Sequence, residues 1–557
     1  MDGKNIKLHL AGSFTSIEDS NNSHYQYDID SLKPGINYQD KHILKLSRDK
    51  QVDWVISRIC DHASGTLQPC KNNRFAECPL HGWKLDLDML QYSNVNVAKE
   101  KLAFEVKNKQ VIIRQPNAHL KLPENISSKQ QELDLNIRFL SHASLLFTCD
   151  SINIITDPWI QGPCFLNGWW HDPAPSSDAI DQLFNADLVY ISHNHPDHMH
   201  EDTLIKLYQH RPDVPIVIPN FKTKSAERPL RNLGFTNIIP LAFNQIHQLG
   251  EHDIYISILK SGDFRDDSGL YLSYGQKQAL ISVDSSALNH YVLPSEIDFL
   301  ATSFAAGASG HPWCFDHYSE DEKLQITHNR HLSVKNSIFK YIDTCKPKSY
   351  MPYAGYFSEA APRDEYIKKN NIKNSQQAIA AEIHNLYPNI VTIDPISTDK
   401  VTISKSITAS SSNISRPTIS NDDISRYLDN EYMPNEEAFF SAAQEYFSAS
   451  QFKDDLILYL VPCDSDFTPL ERGLIIDFSG QINSKTLHHQ DVQLKYNSEL
   501  CEQRQLFIKV RATSLWQVIL HQKSWEELSI GFHCRIHRKP DVYNSDFWYH
   551  FSNIYIQ

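Results

Sequence analysis

No run of about eighteen apolar residues occurs anywhere in the 557-residue chain, so a transmembrane helix is not expected. The opening M-D-G-K-N-I-K-L-H-L is too polar to be the apolar core of a signal peptide. No long basic stripe offsets the formal charge of −14, which argues against a nucleic-acid partner. No Walker A loop, dinucleotide glycine fingerprint or G-x-S-x-G elbow is present, so nucleotide hydrolysis on a P-loop, nicotinamide or flavin chemistry and serine hydrolysis lack their motifs. Ten cysteines spread through a long chain without a secretion signal read as reduced thiols or metal ligands, and the expected address is cytoplasmic.

With 41% apolar residues the chain can build two or three ordinary cores. Residues 1–33 are polar and ambiguous, and Asp19–Ser23 reads as loop. Across 34–120 short alternating runs between turn residues predict a small all-β domain. A linker follows at 121–134. Strand and helix patterns then mix through 135–403, a Ser/Thr-rich linker or loop occupies 404–420, and 421–557 reads as an α+β region.

Two motifs carry chemistry. The first is Cys60-x-His62, fifteen residues, then Cys78-x-x-His81. Two loops that each offer a thiolate and an imidazole suit a Rieske 2Fe–2S cluster, with two Cys on one iron and two His on the other. A zinc ribbon is the rival, although such ribbons favour C-x-x-C knuckles. Cys70 lies between the loops without a partner at cluster spacing, so a plain thiol is expected there. The second motif is H-x-H-x-D-H, formed by His193, His195, Asp197 and His198 after the apolar run Leu188–Ile191 and before a helix from about Thr203. Strand, loop and helix aim short ligands at one point, and imidazole with carboxylate suits zinc, iron or manganese, one ion or two.

A histidine-rich loop at a strand end, among mixed strands and helices, is the metallo-β-lactamase (αββα) pattern. Further ligands are then expected on later strand-end loops. Asp284 ends an apolar strand where a bridging carboxylate would sit, and Asp263 and His311 are further candidates. Trp169 and Trp170 either line a pocket or plug a core. In 421–557 no metal or nucleophile constellation is recognisable.

With both motifs located, the chain resembles the CMP-N-acetylneuraminate hydroxylase family from about Pro34 to the C-terminus. The resemblance rests on C-P-L-H-G-W-K-L-D, T-D-P-W-I-Q-G-P, N-G-W-W, Y-I-S-H-N-H-P-D-H, G-A-S-G-H-P, P-Y-A-G-Y-F, Y-I-K-K-N-N-I-K-N, D-F-T-P-L and I-G-F-H-C-R-I-H-R-K-P-D-V-Y. It implies an α+β multidomain chain: an N-terminal all-β Rieske domain, a metallo-β-lactamase-like αββα sandwich and a C-terminal α+β extension. It also implies a monooxygenase that uses O2 and electrons to hydroxylate the N-acetyl methyl of a CMP-activated sialic acid. Cys60, His62, Cys78 and His81 would hold the cluster. His193, His195, Asp197 and His198 would hold a mononuclear iron, with zinc the alternative and Asp284 a further ligand. Electrons would come from a small haem cytochrome or a ferredoxin with its reductase. The family carries a histidine where this chain reads Gly262-Asp263-Phe264-Arg265, so either Asp263 replaces it or the set is rearranged with His311. The alternative function is a metal-dependent hydrolase of a phosphoester or amide, since this loop also serves metal-hydroxide chemistry. A non-catalytic redox carrier or scaffold is a third.

Overall fold

A computed structural model describes residues 6–18, 23–61, 65–70, 72–78, 83–93, 97–115, 118–127, 131–411, 415–417, 419–498 and 503–556. Its centre is a pair of eight-stranded sheets packed face to face. One runs Ile238–Leu241, Ile216–Pro219, Leu188–Tyr190, Ile152–Thr156, Ser144–Cys149, Leu135–Ser141, Thr398–Ile403, Ile407–Ser411 in spatial order. The period-two alternation of its strands sorts their side chains. Leu145, Phe147, Ile154 and Leu188 face the partner sheet, whereas Leu146, Ile155 and Val189 face Leu183, Leu204 and Leu207 of the helices Ala179–Phe184 and Glu201–His210. Each such fully buried aliphatic side chain contributes about 1.5–3 kcal/mol.

The second sheet contains Gln245–Leu249, Ile254–Lys260, Ser268–Tyr274, Lys277–Ile281, Phe299–Ser303 and Ser349–Tyr353, and it is covered by the helices Glu320–Cys345 and Gln376–Leu386. Helix, sheet, sheet, helix is the expected sandwich. Its antiparallel strands 254–260 and 268–274 are buried on both faces, so they read as nearly continuous apolar runs.

Two segments differ from the sequence reading. Leu8–Ser13, within the ambiguous 1–33, pairs with Gln245–Leu249 and forms the edge of the second sheet. In 404–420, expected as a linker or loop, Ile407–Ser411 is the outer strand of a hairpin with Thr398–Ile403. Its Ser and Thr side chains face water, so the strand shows no apolar alternation to betray it. Downstream, Arg416 donates to the carbonyls of Phe139, Leu140 and Ala174. Part of the expected loop at 19–23 lies outside the described residues.

Before the sandwich, strands from Gly35–Tyr38 to Ala118–Lys121 form small antiparallel sheets, with no helix between them among the described residues. After it, a five-stranded sheet (Asn483–His488, Arg472–Asp477, Leu456–Cys463, Arg504–Arg511, Cys534–Lys539) carries the helices Glu436–Ala449 and Ala512–His521. This last unit docks tightly. A Cβ on Gly168 would lie 2.4 Å from the Gly531 carbonyl, so glycine is required for that approach. Trp169 Nε1 donates to Ile530 O at 3.1 Å, and a buried Arg511–Asp364 pair spans the seam at 2.8 Å. N-G-W-W and I-G-F-H-C therefore meet in space. No helix is long and apolar enough to cross a membrane among the described residues.

Candidate metal centre

Eight residues from five chain segments converge where strands of the two sheets end. The H-x-H-x-D-H loop leaves Leu188–Tyr190, and Asp157 leaves the neighbouring parallel strand Ile152–Thr156. Asp284 follows Lys277–Ile281, and His142 caps the turn between Leu135–Ser141 and Ser144–Cys149. Glu526 comes from the C-terminal unit. Three of these turns are conformationally costly. His142, Asp157 and Val283 have φ of 24°, 39° and 54°, and a β-branched valine there is an outlier of the sort that clusters at functional sites.

Two groups can each hold an ion: His142, Asp197 and His198, and His193, His195 and Asp284. Each is two imidazoles and one carboxylate. His142 Nε2 and His198 Nε2 lie 3.2 and 3.3 Å from Asp197 Oδ2. His193 Nε2 and His195 Nδ1 are 2.9 Å apart. Asp284 Oδ2 is 3.5 Å from His198 Nε2, which puts this carboxylate between the groups.

The outer nitrogen of each ring is tied to an acceptor, and that fixes the tautomer. His142 Nδ1 donates to Tyr356 O at 3.2 Å, His195 Nε2 to Glu526 at 2.8 Å and His198 Nδ1 to Asp157 at 3.1 Å. Ser192 Oγ gives its own proton to Asp157, so it accepts from His193 Nδ1 at 2.9 Å. Four lone pairs are thereby turned inward toward one another and toward carboxylates. Facing lone pairs at 2.9 Å repel unless a cation lies between them, and Asp197 Oδ1 and His198 Nε2 are buried without a hydrogen-bond partner. The donor set fits metal ions.

The carboxylates make the pocket favour a cation, whether a proton or a metal ion. Burial holds the His193 pKa well below its ordinary value. Burial also opposes charge on His198, yet Asp197, Asp284 and Asp157 hold it well above the ordinary imidazole range. Asp267, near His193 Nδ1 at 3.6 Å, is pushed up to about 7 by burial.

The other expected ligands lie elsewhere. Asp263 belongs to neither group. Its carboxylate is held by Arg265 at 2.8 Å, and it accepts from the Arg265 backbone N–H. His311 also stands outside both groups, packed edge-on against Phe315 and Tyr318. Neither Asp263 nor His311 therefore lies in a group of three possible ligands among the described residues. His142 stands with Asp197 and His198 instead, from a segment more than fifty residues upstream of the motif, and S-H-A-S after an apolar strand is its only sequence signal. Glu526 had none, because W-E-E-L reads as an ordinary helix start. The expectation of one iron also meets six donors in two groups.

Cys60 and Cys78 are buried in one apolar cluster with Trp83 and Tyr92. His62 and His81 lie outside the described residues. Cys70 sits near Glu77, Sγ to Oε2 3.7 Å, and none of the nine described cysteines is in a disulfide. Trp83 stacks on Phe264 at 5.8 Å, and Phe264 adjoins the Arg265–Asp267 turn beside His193. The apolar cluster around Cys60 and Cys78 therefore abuts the H-x-H-x-D-H region.

A cavity of about 330 Å³ opens from the metal groups, lined at that end by His142, His195, Asp197, Asp284 and Glu526. Trp169 lines it, stacked on Phe357 at 3.5 Å, whereas Trp170 is core packed against Tyr427.

A family profile described as Beta-lactamase superfamily domain matches residues 136–256. The chain is 28% identical over 578 residues to cytidine monophosphate-N-acetylneuraminic acid hydroxylase of Danio rerio, covering 94% of this chain and 92% of that protein. It is 30% identical over 570 residues to the protein of the same name from Macaca mulatta, again covering 94% and 92%. Among solved structures, CmlA, a diiron β-hydroxylase from Streptomyces venezuelae, overlaps 54% of this chain and 65% of its own at 13% identity and a TM-score of 0.34, too loose to bear on the reaction.

Proposed function

The chain belongs to the cytidine monophosphate-N-acetylneuraminic acid hydroxylase family, and from that premise we propose that it hydroxylates the N-acetyl methyl of a CMP-activated sialic acid, using O2 and outside electrons. The observation that carries this reading is the composition of the two ligand groups. Each offers two histidines and one carboxylate, the donor set that suits ferrous iron and O2 when coordination positions stay open. We assign His142, Asp197 and His198 to one ion and His193, His195 and Asp284 to the other, with Asp284 between them. Iron held there supplies the redox chemistry that an unactivated C–H bond demands and that acid–base groups cannot provide.

The chain's own residues do the rest. Asp157, Glu526, Ser192 and the Tyr356 carbonyl hold the four imidazoles in the tautomer that points lone pairs inward. Trp169 and Phe357 form a stacked apolar wall beside the groups, a surface suited to an acetyl methyl and to excluding water. Cys60 and Cys78, with His62 and His81, would hold a Rieske 2Fe–2S cluster, and burial of both thiols in one cluster of side chains supports the pairing. Trp83 stacked on Phe264 joins that cluster's surroundings to the turn beside His193, a short path for single electrons. The donor would be a small haem cytochrome or a ferredoxin with its reductase.

Protein purified without oxygen should contain iron at both sites and convert CMP-N-acetylneuraminate to its N-glycolyl form with a reductant and O2. Zinc in the sandwich site, with phosphoester or amide hydrolysis and no hydroxylation, would replace this reading by the hydrolase one.

A further inference from the structure

The cavity is lined by three arginines, of which Arg265 lies beside the metal groups, its Nη2 3.4 Å from the Asp284 carbonyl. Two are neutralised locally: Arg265 by Asp263, and Arg538 by Asp541 through Nε at 2.6 Å. The third, Arg330, projects from the helix Glu320–Cys345 and has no carboxylate within ion-pair distance among the described residues. Its guanidinium donates to the carbonyls of Ser309 and His311 and to Ser309 Oγ, all on the loop A-A-G-A-S-G-H. These neutral acceptors position the fork without cancelling its charge. Burial alone pulls the Arg330 pKa down to about 10, with no carboxylate contributing. The surrounding wall is rich in hydroxyls, from Ser285, Ser286, Ser303, Ser309, Ser333 and Ser337.

We infer that Arg330 is the anion anchor of this cavity, taking an oxyanion at the end of the substrate remote from the metal groups, while the serine wall hydrogen-bonds a polyhydroxylated body. The inference rests on the proposed substrate. In a CMP-linked sialic acid the N-acetyl group and the anomeric carbon lie on opposite sides of the ring. With the methyl at the metal groups, the carboxylate and the phosphodiester at the anomeric end are turned the other way. The shared chemistry is an oxyanion at that end. A half-buried, uncompensated guanidinium is the group that would select for it.

Equilibrium binding to the metal-loaded full chain tests this, with CMP-N-acetylneuraminate, free N-acetylneuraminate (carboxylate without phosphate), CMP (phosphate without carboxylate) and the neutral N-acetylmannosamine as probes. Arg330→Gln should weaken CMP-N-acetylneuraminate roughly ten- to a hundred-fold and leave the neutral sugar and both metals as in wild type. The part-ligand that loses the same factor identifies the oxyanion. Should Arg330→Gln not fold, Arg330→Lys decides, because it keeps the charge without the fork and should weaken the anions severalfold. Equal anion affinity in the folded variants and wild type would overturn the inference. So would equal weakening of neutral and anionic probes, which would mark Arg330 as a prop for the loop. If wild type ignores CMP-N-acetylneuraminate yet binds a smaller anion through Arg330, the anchor stands and the proposed substrate falls. Wild type that binds no anion defeats both.

Discussion

Glu526→Gln tests the contribution of the C-terminal unit to a centre otherwise built by the sandwich. Glu526 Oε2 accepts from His195 Nε2 at 2.8 Å, and both side chains are largely buried. Burial works against charge on His195, but Glu526 overrides it and holds the ring's pKa above its ordinary value. The substitution removes the carboxylate's charge while preserving its volume. It also lets an amide N–H₂ face Nε2, which favours the proton on Nδ1, the nitrogen 2.9 Å from His193 Nε2. A charge-assisted hydrogen bond of this kind is worth about 1.5–3 kcal/mol. Loss of such an orienting partner costs roughly 10–100-fold in metal affinity, or about 1.4–2.7 kcal/mol. The deficit should fall on the His193, His195 and Asp284 group, leaving the other ion bound as before. Competitive chelation followed by metal analysis of each fraction reads the two affinities separately, with thermal unfolding to verify the fold. Unchanged affinity for both ions in folded Glu526→Gln would refute the argument that the C-terminal unit completes the centre.

Other perturbations separate the remaining roles. His142→Ala should empty the His142, Asp197 and His198 group, whereas Asp263→Ala and His311→Ala should keep both ions; metal loss in Asp263→Ala alone would return that residue to the ligand set. Cys78→Ser should abolish the visible cluster absorption while metal in the sandwich persists, and a surviving Rieske spectrum would defeat the cluster assignment. Arg511→Ala strands the buried Asp364 carboxylate and should cost about 3–5 kcal/mol, read as a lower apparent Tm. Burial raises Asp364 and lowers Arg511 despite their pairing, so Asp364→Leu with Arg511→Met should recover most of the loss. Burial would raise Asp541, but His317, Arg538 and Tyr318 hold its pKa below the ordinary carboxylate value. Its stabilisation is therefore present above about pH 3.9, the unfolded value, and is lost as pH falls through the folded pKa. Asp541→Asn should be less stable than wild type at neutral pH, and the gap should close in acid; a gap that is constant with pH would contradict the assignment.

Much was legible in the sequence because it is local. Strands such as Ile152–Thr156 and Ile238–Leu241 show themselves as apolar runs between turn residues. H-x-H-x-D-H gathers four donors within six residues, so one strand–loop–helix turn suffices to bring them together. Asp284, read as a carboxylate at the end of an apolar strand, stands in the structure beside His193 and His195. What tertiary structure decided is the part that depends on which strand ends become neighbours. His142 reaches Asp197 only because Leu135–Ser141 and Leu188–Tyr190 lie in one sheet with Ser144–Cys149 and Ile152–Thr156 between them. Glu526 reaches His195 only because a separate unit docks through the Gly168–Gly531 approach. Asp263 is a candidate by position, and the structure pairs its carboxylate with Arg265, two residues on, a contact that side-chain packing makes and spacing does not encode. The residue types for a metal centre were fixed by the sequence motif. Which of them gather into each group, and which outside acceptors hold them there, followed from the packing of two sheets and a distant domain, because contacts between chain-remote groups leave no period or spacing to read.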